Sequence, residues 1–205
     1  MPGARAHDLI TIVTGVALAP LTYSVLGQSS AAPDVALANT GVLVGSHLLS
    51  GIMFSPDLDL DSRIDDRWGI FFWIWRPYMW FVPHRHRLLS HGLVISQLLR
   101  LFYFYAVIML LLFGGAWILG RIGIAVPDYH WRVSSALLDF VVEHPRVSWS
   151  LVVGFCTGGA AQTIADWLVT GGVRYLHRMG YRVVHDYSDH DHWHAPRRRA
   201  RSWSR

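Results

Sequence analysis

Carboxylates and imidazoles gather in one part of this sequence. Ser55 to Asp61 reads Ser-Pro-Asp-Leu-Asp-Leu-Asp, and Pro83 to Gly92 reads Pro-His-Arg-His-Arg-Leu-Leu-Ser-His-Gly. Carboxylate oxygen is a hard donor and imidazole nitrogen a borderline one, a mixture that suits a divalent Zn, Mn or Fe ion and not a thiolate site. Asp57 and Asp59 follow Pro56, which favours a turn or a helix start, so they are expected as ligands at an element junction. Asp61, Asp65 and Asp66 read instead as an acidic turn capping the next helix. His84 and His91 are seven apart, about two turns on nearly one helical face. His86 then points elsewhere unless the chain after Pro83 is extended. The bland reading of His84 and His86 is a solvated basic cluster with Arg85 and Arg87.

These residues need elements to bring them together, and composition says which kind. The chain has 205 residues, 52% hydrophobic and only 16% charged, against a usual charged share of about 25%. Four apolar runs follow in order: Ile10 to Leu26 with a kink expected at Pro20, Val35 to Phe54, Leu93 to Leu119, and Trp149 to Val169. Each is long enough for a transmembrane helix of about 17–25 residues. Trp68 to Phe81 is aromatic, carries only Arg76 and is broken by Pro77. It reads as an interfacial or re-entrant segment. A short amphipathic helix is expected from Ser134 to Val142. The fold class is therefore all-α: a membrane-embedded helical bundle with about four transmembrane helices and an interfacial segment, over residues 1–182. Residues 183–205, rich in His and Arg, read as a disordered tail. The one cysteine, Cys156, excludes an internal disulfide and a Cys-rich zinc cluster, and reads as a small buried residue. No cleavable signal peptide is evident.

Every basic residue is Arg. With four spans, the N-terminus, the 55–92 segment and the tail share one side, and they carry most of those arginines. The positive-inside rule makes that side cytoplasmic, with both termini in the cytoplasm of a multi-pass inner (plasma) membrane protein. The same topology carries distant groups to one face. His7 and Asp8 enter the first span there, Asp57 and Asp59 leave the second, His84, His86 and His91 precede the third, and Asp166 ends the fourth. Ionisable groups at apolar helix ends are costly unless paired or liganded. The expected metal ligands are accordingly His7, Asp57, Asp59, His84, His91 and Asp166. His47, deeper in the second run, reads as a hydrogen-bonded buried histidine. Four short core helices of a soluble bundle are the competing architecture.

Pro2-Gly3 through His7-Asp8, Pro56-Asp57-Leu58-Asp59, His84-Arg85-His86-Arg87 with Ser90-His91-Gly92, and Gly159 through Asp166-Trp167 form a pattern. It resembles the uncharacterised metal-binding protein family of cyanobacteria and related bacteria, and more distantly the membrane-bound metal-dependent hydrolases of the YdjM type. The hydrolase resemblance implies a Pro-Asp-x-Asp-His-like motif, yet Leu60 stands where its His belongs. It also implies a His one turn before Asp166, where this chain has Gln162, a poor ligand. If the site is catalytic, Asp59 bridges or orients, Asp8 or His86 shuttles a proton, and the substrate is a phospholipid headgroup or a small phosphoester. The alternatives are a structural ion tying helix ends together, or metal handling with the His-rich tail. The lipid bilayer is the expected partner, and no nucleic acid is expected.

Overall fold

The computed structural model describes residues 4–29, 32–55, 65–81, 92–125 and 127–178. All of its described elements are helical. They are α1 (Ala4–Ser29), α2 (Pro33–Met53), α3 (Asp65–Trp68), a 3-10 segment (Gly69–Trp75), α4 (Arg76–Phe81), α5 (Ile95–Arg121), α6 (Tyr129–Glu143) and α7 (Pro145–Arg178). The chain divides into two units, Met1–Val169 and Thr170–Arg205. The packing below belongs to the first. The expected tail at 183–205 lies outside the described residues.

Local sequence explains the helix starts. Pro33 occupies the first turn of α2, where its missing N–H costs nothing, and Asp34 beside it complements the helix dipole. α1 is helical straight through Pro20. Ring and hydroxyl contacts fix directions. Thr11 and Thr14 of α1 meet His47 of α2, and Gly15 lies against Leu48 while Thr11 lies against Gly51, so α1 and α2 form an antiparallel hairpin. Along α7, Ser150 meets Asn39, Gly154 meets Leu43, Gly158 meets His47 and Gln162 meets Gly51, so α7 runs parallel to α2. α1 and α7 are antiparallel, with Thr11 against Gln162 and His7 against Asp166.

Glycine sets how close these helices come. A Cβ on Gly154 would lie 2.2 Å from the Leu43 carbonyl oxygen, and one on Gly158 2.2 Å from the His47 carbonyl oxygen. Gly154 and Gly158 thus make a small-xxx-small ridge that lets two backbones touch, as in membrane helix pairs.

Burial is inverted relative to a soluble bundle. Among the described residues fifteen buried side chains are polar or charged and seven are apolar, while Leu9, Val16, Leu37, Phe102, Leu110 and Leu168 face outward. A polar interior inside an apolar coat is the arrangement of a multi-pass membrane protein, because lipid solvates the coat and the interior satisfies its own polar groups. It argues against the soluble alternative.

Three described helices, within α1, α2 and α5, are long and apolar enough to cross a membrane. The fourth span expected at Trp149 to Val169 is corrected: α7 has the length but not the composition. Its inward face carries Gln162, Thr163 and Asp166, with Thr157 against His47, while Trp149, Trp167 and Leu168 face outward. The interior it lines is polar, so its average hydropathy falls although its outer face is apolar. Cys156 on α7 is half-buried, not buried as expected.

The segment from Trp68 to Phe81 is a run of short helical turns. Its inner side joins an aromatic cluster in which Phe54 meets Trp68, Trp75, Phe104 and Phe155 edge-on. Edge-to-face pairs match ring edges to ring faces. α6 docks on α5 through Tyr105 with Ser134, 2.8 Å between hydroxyl oxygens, and His130 edge-on to Phe113. It buries none of its residues.

Candidate metal centre

Two of the expected ligands meet. His7 Nε2 of α1 and Asp166 Oδ1 of α7 are 3.6 Å apart, and both side chains are almost wholly buried, at 1% and 4% exposure. The separation exceeds the roughly 3.2 Å limit of a good N–H···O hydrogen bond. Two donors bound to one Zn at about 2.0–2.1 Å and the tetrahedral angle would stand roughly 3.4 Å apart. An imidazole and a carboxylate at this distance fit one edge of a metal's coordination shell.

The floor beneath this pair is a hydrogen-bond clamp. One turn after His7, Thr11 donates from Oγ1 to the His7 carbonyl at 2.9 Å. One turn before Asp166, Gln162 donates from Nε2 to Thr11 Oγ1 at 2.8 Å and to the Gly51 carbonyl at 2.6 Å. Its Oε1 accepts from Ser55 Oγ at 2.8 Å. One amide therefore joins α1, α2 and the residue that precedes Pro56. Gly51 is obligatory here, since a Cβ would lie 2.4 Å from Thr11 Cγ2. The poor ligand of the sequence reading is the centre's keystone. Its spacing from Asp166, and that of Thr11 from His7, is one helical turn, a signal legible only once α1 and α7 are paired.

Beneath the clamp lies His47. Its Nε2 is 3.1 Å from the Thr11 carbonyl and 2.9 Å from Thr14 Oγ1, and its Nδ1 is 3.1 Å from Thr157 Oγ1. A carbonyl only accepts, so Nε2 carries hydrogen, while the Thr157 hydroxyl beside Nδ1 donates to the Gly154 carbonyl at 2.9 Å. His47 is the hydrogen-bonded buried histidine expected, and it pins α1, α2 and α7 together.

Asp8 faces the other way. Both its oxygens accept from Arg67 Nη2, at 2.8 and 2.6 Å, while Arg67 Nη1 donates to the Ile52 carbonyl at 2.6 Å. The guanidinium occupies the carboxylate proposed as a proton shuttle and ties the start of α1 to the end of α2. Close by, Arg100 of α5 is fully buried and donates to the Phe54 carbonyl and to Gln97 Oε1.

Asp57, Asp59, His84, His86 and His91 lie outside the described residues. Among the described residues, no three His, Cys, Asp or Glu side chains gather around one point. Of the expected ligands, the described residues include His7 and Asp166, paired above the clamp. A family model described as uncharacterized metal-binding protein (DUF2227) matches residues 2–175. No curated protein and no solved structure matches the chain. The resemblance to YdjM-type hydrolases is corrected accordingly: no specific similarity to them is found.

Proposed function

Because the chain belongs to the uncharacterized metal-binding protein family, we propose that it is an integral membrane protein holding a divalent ion, Zn, Mn or Fe, where the start of α1 and the end of α2 meet α7 near Asp166. The observation that carries this is the approach of His7 and Asp166, 159 positions apart in sequence, with donor atoms at a ligand-pair distance. Asp57 and Asp59 continue the chain three and five residues beyond Phe54, and His84, His86 and His91 precede α5. In this proposal they complete the shell from the same end of the bundle. That end faces the cytoplasm of the inner membrane by the excess of Arg in the segments attached to it.

The ion's task is to tie helix ends. Burial of both described ligands supports this over an open catalytic position, since hydrolysis requires a coordination site that water and substrate can reach. A hydrolase reading remains as the second proposal, for a phospholipid headgroup or a small phosphoester. A bound ion would there supply an acidified water. Of this chain's residues, Asp59 and His86 would move protons, and Asp8 would do so only after releasing Arg67. Metal handling by the His-rich tail is the third.

The test is elemental analysis of detergent-purified protein. About one ion per chain is expected, lost in the double variant Asp57→Ala with His91→Ala while membrane insertion persists. Unchanged metal in that variant would overturn the ligand set.

A further inference from the structure

We propose that the outward face of residues 69–81 is seated in the lipid leaflet on the His7–Asp166 side of the bundle, with acyl chains around its rings and Arg76 at headgroup depth. This rests on the membrane reading above and adds where the metal end lies relative to lipid.

The segment has two unlike faces. Ile74, Trp75 and Tyr78 are buried, the two rings against Phe54 and against Tyr103 and Phe104 of α5, whereas Ile70, Phe71, Trp73, Trp80 and Phe81 are 56–82% exposed. Five large apolar side chains on thirteen residues form a patch that water disfavours. Lipid covers it for a reason of level. The Trp68 Nε1 donates to the Met53 carbonyl, at the end of α2. α2 has 21 residues, about 31 Å at 1.5 Å per residue, close to the roughly 30 Å hydrocarbon thickness. The patch therefore sits where the hydrocarbon ends.

A second ruler agrees. Tyr103 donates to the Ile74 carbonyl, so the segment is level with Tyr103 on α5. Fourteen residues along α5, Trp117 is exposed and Arg121 lies over its ring at 5.6 Å. At the near end Arg76 lies over Phe72 at 5.5 Å. Two aromatic–arginine pairs are thus separated along α5 by about 21–27 Å, the span between the two aromatic belts of a bilayer. Trp and Arg together fit that boundary because each has an apolar body and a polar tip.

Spin labelling tests this in the full chain, reconstituted in phosphatidylcholine–phosphatidylglycerol vesicles on a Cys156→Ser background. Nitroxides go on Ile70→Cys, Trp73→Cys and Trp80→Cys in turn, and on Val16→Cys, which faces outward from α1 at 68% exposure. Oxygen collisions exceeding those of a water-soluble nickel chelate at 16 and at all three segment positions is the expected result. Nickel dominating at 70, 73 and 80 while oxygen dominates at 16 would place the segment in water and overturn the proposal alone. Neither reagent reaching the three positions would mean a protein covers them, which also overturns it. Nickel dominating at 16 as well would sink the membrane reading itself.

Discussion

At the scale of single residues, the account turns on Gln162. Its amide uses both hydrogens and its oxygen inside the bundle, on Thr11, Gly51 and Ser55. Leaving buried partners unsatisfied costs about 1–3 kcal/mol each. Gln162→Ala is therefore expected to destabilise the bundle by about 3 kcal/mol, read as loss of helicity in graded denaturing detergent. It should also weaken metal retention, because the floor under His7 and Asp166 goes with it. Stability equal to wild type would show the clamp to be incidental. The sequence exposed His7 and Asp166 as candidates through their place at apolar helix ends. It did not expose Gln162 or Thr11, because a polar residue on a helix says nothing about its partner until the helices are aligned. Asp8 was equally opaque: Arg67 is 59 positions away, and only the fold shows that it takes both carboxylate oxygens.

At the scale of elements, the helix contacts are backbone-close, and that makes unequal demands on neighbouring glycines. Gly158 faces the His47 carbonyl, whereas Gly159 faces the end of the Gln97 side chain. A carbonyl in a packed helix cannot retreat, and an amide can turn. Gly158→Ala is expected to cost about 2 kcal/mol through overpacking, measured by thermal unfolding of the detergent-solubilised protein, and Gly159→Ala clearly less. Equal effects would contradict the backbone contact. Arg67 and Asp8 give a second element-level expectation. Arg67→Lys should loosen the junction of α1 and α2, since an ammonium cannot match the guanidinium's fork, and the exchanged pair Asp8→Arg with Arg67→Asp should recover part of the loss. Protease nicking between residues 55 and 65 reads this out, with no recovery counting against the pair. The run-and-break pattern of the sequence marked α1, α2 and α5 because apolar stretches of that length, with Arg100 the one charge among them, form long helices. α7 was over-read as a fourth apolar span. Its Gly- and Ala-rich run looks apolar, but Thr157, Gln162, Thr163 and Asp166 belong to a polar interior that only the assembled bundle reveals.

At the scale of the whole molecule, apolar side chains take the outer coat and the polar residues meet inside. Asn39, Ser46, His47 and Ser50 line α2 over about 17 Å, and Ser55 follows it, so polar contacts run along much of the helix. Reporter fusions at residue 60 and at the C-terminus are expected on the same, cytoplasmic side. Opposite sides would break the convergence of ligands at one face. The most direct measurement is X-ray absorption at the K-edge of the metal that copurifies with the protein. A nitrogen and oxygen shell near about 2.0–2.1 Å is expected for zinc, with imidazole scattering that drops by one ring in His7→Ala and a shell that loses one oxygen in Asp166→Ala. A metal spectrum and metal content identical in wild type, His7→Ala and Asp166→Ala would contradict the claim that these two residues hold the ion.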